Sequence, residues 1–212
     1  MFDKFIARLA EELKKPLPGE EAQHRMAPLL RQKQIFYKDR LQAARKAAVL
    51  MLFYPFNQSV YTVLMLRADY PGTHGGQVSF PGGRFEPEDA TYEHAALREA
   101  KEEIGIVPEK VKLLGRLTPL YIPPSDFLVH PVTGYSPERP DFVLDTTEVD
   151  RILEVSIAEL LDSTNMKAKQ IMHRSTGMPV DTPYFDIQGQ TVWGATAMML
   201  SELNEIIRKC LK

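Results

Sequence analysis

The sequence predicts an α/β protein in which a mixed sheet lies between helices. Three observations carry that expectation. Residues 47–56 and 60–67 are apolar, strand-forming runs joined by a short turn, residues 91–104 form an uninterrupted helical stretch, and further strand-like runs precede a C-terminal amphipathic helix. Elements in that order pack as layers around a shared core. A chain of 212 residues with 44% hydrophobic content can bury one substantial core. Residues 1–212 are therefore assigned to one domain, a helical N-terminal extension at 1–44 and a core at 45–212.

Taken in order, residues 2–15 set Phe2, Phe5, Ile6, Leu9, Ala10 and Leu13 on one stripe of an amphipathic helix, which Pro16 and Pro18 end. A second short helical or irregular stretch reaches Leu30. Lys38, Arg40, Arg45 and Lys46 follow without aromatic interleaving and are expected to form a solvated face. The run 47–56 is apolar enough for a buried strand, Asn57-Gln58 turns it, and 60–67 returns as the second arm of a hairpin. A glycine-rich loop at 68–76 then leads through Gln77 to Phe80-Pro81. Beyond the central helix, 111–120 and 127–135 are expected as antiparallel strands about a turn at 123–126. Residues 148–157 form a strand that runs into a short helix, 166–173 and 183–188 two more strands, and 196–211 the last helix.

The stretch 82–106 carries the chemistry. Ala95, Ala96, Leu97, Ala100 and Lys101 favour helix, Asp89 or Thr91 can cap its start, and Gly105 its end. Glu99, Glu102 and Glu103 are related by i+3 and i+4 and share a sector of roughly 100°. That sector is expected to be exposed, opposite an apolar face of Leu97, Ala100 and Ile104. Arg98, four residues before Glu102, can orient one of the carboxylates. Like charges so spaced cost roughly a few tenths of a kcal/mol per pair. A hard cation with oxygen ligands, Mg²⁺, Mn²⁺ or Ca²⁺, accounts both for the cluster and for the Gly82-Gly83 turn before it.

These residues resemble the signature of the Nudix hydrolases, Gly-x5-Glu-x7-Arg-Glu-U-x-Glu-Glu-x-Gly-U with U aliphatic. Gly83, Arg98, Glu99, Glu102, Glu103, Gly105 and Ile106 match it, with Ala100 in the first U position. Fourteen residues separate Gly83 from Arg98 where the pattern has thirteen, so either Glu88 or Asp89 takes the place of the early glutamate. Upstream, Leu64, Arg67, Ala68, Gly76, Phe80, Pro81, Gly82 and Gly83 resemble a second signature, that of the branch acting on coenzyme A. Trp193-Gly194-Ala195-Thr196 is similar to the same branch. The chain departs from that signature at Val63, Met65 and Gly72, the last of which stands where arginine is usual.

The resemblance implies an α/β/α sandwich and a Mg²⁺- or Mn²⁺-dependent hydrolysis of the pyrophosphate of coenzyme A. It implies metal ligation by Glu99, Glu102 and Glu103 with the Gly83 carbonyl, an orienting role for Arg98, and a general base at Glu99 or Glu148. Substrate contacts are expected from Arg67, His74, Gln77 and Arg84. Arg67 is equally open to pairing with a box carboxylate, Arg84 to solvation, and His74 to shaping its loop. Gly72 removes a bidentate partner for the 3′-phosphate, which weakens the reading of that group. Other readings are hydrolysis of another nucleoside diphosphate derivative, such as ADP-ribose or a dinucleotide, and a Nudix-fold sensor without catalysis.

Composition narrows the partners. A formal charge of −2 with dispersed Lys and Arg offers no electrostatic footprint for nucleic acid. The single cysteine, Cys210, fits a reducing compartment. The start lacks a basic region followed by a continuous apolar one, and no run approaches the length of about 18 apolar residues that a membrane helix needs. The expectation is a soluble, cytoplasmic protein with a small-molecule nucleotide substrate and no membrane partner; a homodimer is left open.

Overall fold

A computed structural model describes residues 1–32, 38–69, 75–172 and 177–211. The helices are α1 (Phe2–Glu12), α2 (Gly19–His24), α3 (Leu29–Gln32), α4 (Lys38–Ala43), α5 (Tyr92–Ile104), α6 (Ile157–Leu161) and α7 (Gly194–Cys210). The strands are β1 (Arg45–Phe56), β2 (Ser59–Arg67), β3 (Val78–Ser79), β4 (Gly82–Arg84), β5 (Lys112–Arg116) and β6 (Leu120–Ile122). They continue with β7 (Phe127–Tyr135), β8 (Val149–Ser156), β9 (Met166–Met172), β10 (Pro179–Ile187) and β11 (Gln190–Trp193).

The central strand is β1, whose apolar run is explained by burial on both faces. Ala47, Met51 and Phe53 enter one core with α1 and α7, while Ala48, Leu50, Leu52 and Tyr54 enter a second core beneath α5. Around it an eight-stranded sheet assembles in the order β3-β2-β1-β7-β5, with β4 paired to β1, β6 to β7 and β8 to β2. The pairing is mixed, since β1 is antiparallel to β2 but parallel to β7. Asn57 and Gln58 make the β1–β2 connection with φ of 44° and 60°, the left-handed pair that a two-residue hairpin turn requires.

Two expectations need correction. The strand expected at 111–120 is broken into β5 and β6, because Pro119 has no N–H for the ladder and the Thr118 N–H is taken by Glu202 of α7 (3.3 Å). The late strands do not join the central sheet: β9, β10 and β11 form a separate antiparallel sheet of three. Arg40 and Arg45 are exposed, in keeping with a solvated face, and the basic residues about the start of β1 also make contacts. Arg40 donates to the Tyr121 hydroxyl (3.0 Å) and pairs with Asp126 (3.3 Å), Lys46 donates to the Leu41 carbonyl (2.7 Å), and Arg45 lies 4.2 Å over the Phe127 ring. Among the described residues, no helix is long and apolar enough to cross a membrane.

Glu202 fastens the N-terminal helices to this core. It is fully buried, and its carboxylate accepts from Gly19 N–H (3.2 Å), Gln23 Nε2 (2.8 Å), Thr118 N–H and Thr118 Oγ1 (2.6 Å). Four donors from two segments thus depend on one side chain. Leaving a buried donor unpaired costs about 1–3 kcal/mol. Glu202→Ala is expected to lower the unfolding free energy by at least ~2 kcal/mol, read from the urea midpoint, and to expose the 13–18 segment to protease. Glu202→Gln, which retains an acceptor, should lose less.

Candidate active site

The acidic helix α5 begins at Thr91, whose hydroxyl accepts the His94 N–H (3.2 Å), and ends at Gly105 with φ 70°. Both caps were legible locally. Beneath its middle runs β4, whose first two residues have no room for side chains. A Cβ on Gly82, at φ 151°, would lie 2.3 Å from the Ala48 carbonyl oxygen, and a Cβ on Gly83 would lie 2.5 Å from the Glu99 carboxylate. The two glycines let the Glu99 carboxylate rest directly over the backbone of β4.

Glu103 departs from the expected exposed face. It is 2% exposed, its Oε2 accepting the Gly82 N–H (2.7 Å) and its Oε1 accepting Arg67 Nη1 (3.1 Å). The helix period alone groups Glu103 with Glu99 and Glu102, but the amide of β4 and the guanidinium of β2 meet it from below. Burial pushes its carboxyl up to about 7; the Gly82 amide and Arg67 oppose that rise, and the charges of Glu99 and Glu148 add to it. Glu99 is half-buried and is also pushed up, first by burial and further by Glu102 and Glu148. Glu102 is exposed. The carboxylates carry more negative charge than the arginines around them fully offset.

Arg98 links these groups. Nη1 donates to Glu99 (3.0 Å) and Glu102 (3.2 Å), Nη2 to the Arg84 carbonyl (3.0 Å), and the Nε/Nη2 edge grips Asp89 at 3.1 and 3.0 Å. This bidentate pair decides between the two candidates for the early acidic position, since Asp89 is buried while Glu88 is exposed. Arg98 holds the Asp89 carboxyl below its usual range.

The remaining residues surround this centre at different distances. Arg67 also pairs with Glu148 at 3.7 Å, so β2 joins a box carboxylate to the second base candidate. Glu148 is exposed at the end of a loop whose backbone is tied to α5, Val143 N–H donating to Ile104 O (3.1 Å) and Asp145 N–H to Glu103 O (3.0 Å). That loop-to-helix tie is not marked by any local sequence signal. Gln77 accepts the Arg67 N–H through its backbone carbonyl (3.0 Å), and Arg84 is exposed, 3.8 Å from Glu86. His74 lies outside the described residues. The donors on offer are all oxygens, which suit a hard divalent cation. Among the described residues, no three acidic, histidine or cysteine side chains converge as an ion cage.

A NUDIX domain family model matches residues 44–174. The chain is also 34% identical, over 161 residues, to uncharacterised Nudix hydrolases NudL of Yersinia pestis and Yersinia pseudotuberculosis, covering 75% of this chain and 78% of each relative. The chain belongs to the Nudix family. It is accordingly a Nudix hydrolase, an enzyme of pyrophosphate-type anhydrides in a family that generally uses divalent cations. The fold agrees with the crystal structure of a Nudix hydrolase from M. smegmatis, RenU, at a TM-score of 0.56 and 18% identity over 78% of this chain and 86% of that one.

The Asp89–Arg98 pair makes a pH-dependent contribution to the stability of this Nudix site. Because the folded-state pKa of Asp89 is depressed, its stabilisation is complete above the unfolded value of about 3.9 and is lost as the pH falls through the lower folded value. Asp89→Asn should cost roughly 1.5–3 kcal/mol at neutral pH. The gap from the parent, measured by denaturant unfolding, should close in acid as the pH falls through the depressed folded-state value of Asp89.

Proposed function

We propose that this Nudix hydrolase cleaves the pyrophosphate of coenzyme A or its derivatives, releasing 3′,5′-ADP and 4′-phosphopantetheine or its acyl form. One observation carries the substrate class. The two separate stretches that resemble coenzyme A-directed enzymes meet in space, Thr196 Oγ1 donating to the Val78 carbonyl (2.9 Å). The Trp193–Thr196 step thus braces the strand that leads into Phe80-Pro81-Gly82-Gly83. A reducing, cytoplasmic compartment suits the buried thiol of Cys210, which burial pushes up to about 11 and keeps unreactive.

In this reading Glu99, Glu102, Glu103 and the Gly83 carbonyl provide the oxygen donors. Mg²⁺ or Mn²⁺ bound there would neutralise the pyrophosphate and polarise its phosphorus for attack by water. Arg98 holds Glu99 and Glu102 in place through its grip on Asp89, while Arg67 and the Gly82 amide fix Glu103. The proton of the attacking water goes to Glu148 or to Glu99. Glu148 is exposed and lies 3.7 Å from Arg67, so its carboxylate is accessible from solvent. With the carboxylates on one side and the substrate phosphates on the other, the protein's task is charge balance and alignment.

Glu102→Gln and Glu103→Gln are each expected to lower kcat at least ~10²-fold, about 2.7 kcal/mol of transition-state stabilisation, with the unfolding transition retained. Near-parental rates at saturating Mn²⁺ in both would remove these side chains from the metal site. Glu148→Gln separates the bases: loss of kcat with little change in metal affinity assigns the proton to Glu148, whereas an unaltered pH–rate profile assigns it elsewhere.

A substrate panel read by mass spectrometry, with Mg²⁺ and with Mn²⁺, tests the class itself. Coenzyme A should be cleaved with higher kcat/KM than ADP-ribose; ready cleavage of ADP-ribose alone would overturn the assignment.

A further inference from the structure

A groove of about 480 Å³ runs between the small sheet and the segment before β4, lined by Gly76, Val78, Lys169, Ile171, Thr191 and Trp193 among others. That volume is within the range of small-molecule sites, roughly 300–1,000 Å³. Its chemistry is specific. Lys169 is the one charged group among its described lining residues. The register places Tyr184 opposite Trp193 and Asp186 opposite Thr191, so Tyr184, Asp186, Thr191 and Trp193 share one sheet face. Lys169 Nζ crosses that face, 4.9 Å over the Tyr184 ring, to donate to Thr191 Oγ1 (2.6 Å). Among the described residues no carboxylate lies within ion-pair distance of Lys169, whereas its neighbour Lys167 is paired with Asp186 at 2.6 Å.

The groove also has a defined relation to the carboxylates. Val78 faces the α7 core, opposite Leu66, while Arg67 reaches Glu103 on the α5 side. β3 lies within the sheet, between β2 and the β1–β4 pair, since Met65 pairs with Ser79 on one side and with Ile152 of β8 on the other. From Val78 to Gly82 is four residues, a span of at most roughly 14 Å. Gly76, just before β3, lines the groove, so a ligand that binds both sites would pass the end of that strand, and its distant end must suit a cation beside an indole. Of the two arms of a coenzyme A-like substrate, the pantetheine arm is uncharged; the nucleoside arm carries an additional phosphate and an aromatic base.

We propose that this groove seats the 3′-phosphorylated nucleoside of the substrate, with Lys169 and Thr191 facing the 3′-phosphate and Trp193 contacting the base. The assignment rests on the coenzyme A reading above and supplies a cation where Gly72 supplies none. Lysine meets a phosphate as a point charge rather than as a bidentate fork, so the group is read, but less strictly than by arginine.

Trp193 is the only tryptophan of the chain, which makes its fluorescence a direct probe of the groove. Titration of the full chain with 3′,5′-ADP should change its emission, with an affinity about 10-fold or more above that of 5′-AMP, the scale of one charge-assisted hydrogen bond. Lys169→Ala should bring the two affinities together, and Lys169→Arg should keep them apart. A preference for 3′,5′-ADP that persists in Lys169→Ala overturns the assignment. So does silent Trp193 emission in an enzyme that cleaves coenzyme A, and in that case the substrate class survives. Conversely, a Lys169-dependent preference in a protein that does not cleave coenzyme A retains the groove and removes the substrate class.

Discussion

The position of Glu103 is the constraint on which the active site depends. A carboxylate that is 2% exposed can stay ionised only if donors compensate for the water it has lost. Those donors come from two strands: the Gly82 amide of β4 and the Arg67 guanidinium of β2. Glu103 thereby fixes the distance between α5 and the sheet. Its own main chain extends the constraint, because its carbonyl accepts the Asp145 N–H of the loop that carries Glu148. A shift of the helix by even a fraction of a turn would displace a proposed metal ligand and a proposed base together.

Arg98 complements this buried lock at the surface. It spends one edge of its guanidinium on Asp89 and shares the rest between Glu99, Glu102 and the Arg84 carbonyl. Without such a partner, three carboxylates on one helix sector would repel one another, and the unfavourable pairs would lie next to the side-chain-free Gly82-Gly83 step of β4. The Asp89 grip also anchors the segment between β4 and α5, which explains how the chain accommodates one residue more than the family signature at that point. The extra residue enlarges the connection while the acid that meets Arg98 is retained.

Where the sequence was informative, the signal was local. Asn57-Gln58 marks the hairpin, Thr91 and Gly105 mark the ends of α5, and the two-sided apolar run of β1 marks a strand covered on both faces. What was missed depended on partners distant in sequence. The break between β5 and β6 draws on Glu202, which lies 84 residues from Thr118, as well as on the local signal of Pro119. Strand tendency at 166–173 and 183–188 was legible, but not that these strands pair with each other and with β11 in place of the central sheet. The burial of Glu103 belongs to the same class: a helical period assigns a side chain to a sector, and only the strand beneath decides whether that sector is wet.

The placement of charge then bears on how a substrate can lie. Around α5 the carboxylates are in excess, and their raised pKa values record their mutual repulsion as well as their burial. Two like charges about 4 Å apart near a protein surface repel by roughly 4 kcal/mol at an effective dielectric of 20. A terminal phosphate brought to that centre without its own counter-charge would therefore be rejected, whereas the pyrophosphate is accepted with the divalent cation the family uses. Beyond β3, the lining of the groove reverses the sign, with Lys169 as its single charged group among the described residues. A molecule with a pyrophosphate in its middle and a second phosphate at one end has only one orientation that satisfies both sites. On the proposed assignment, the direction of binding is set by this change of sign across one strand, before any contact reads the identity of the base.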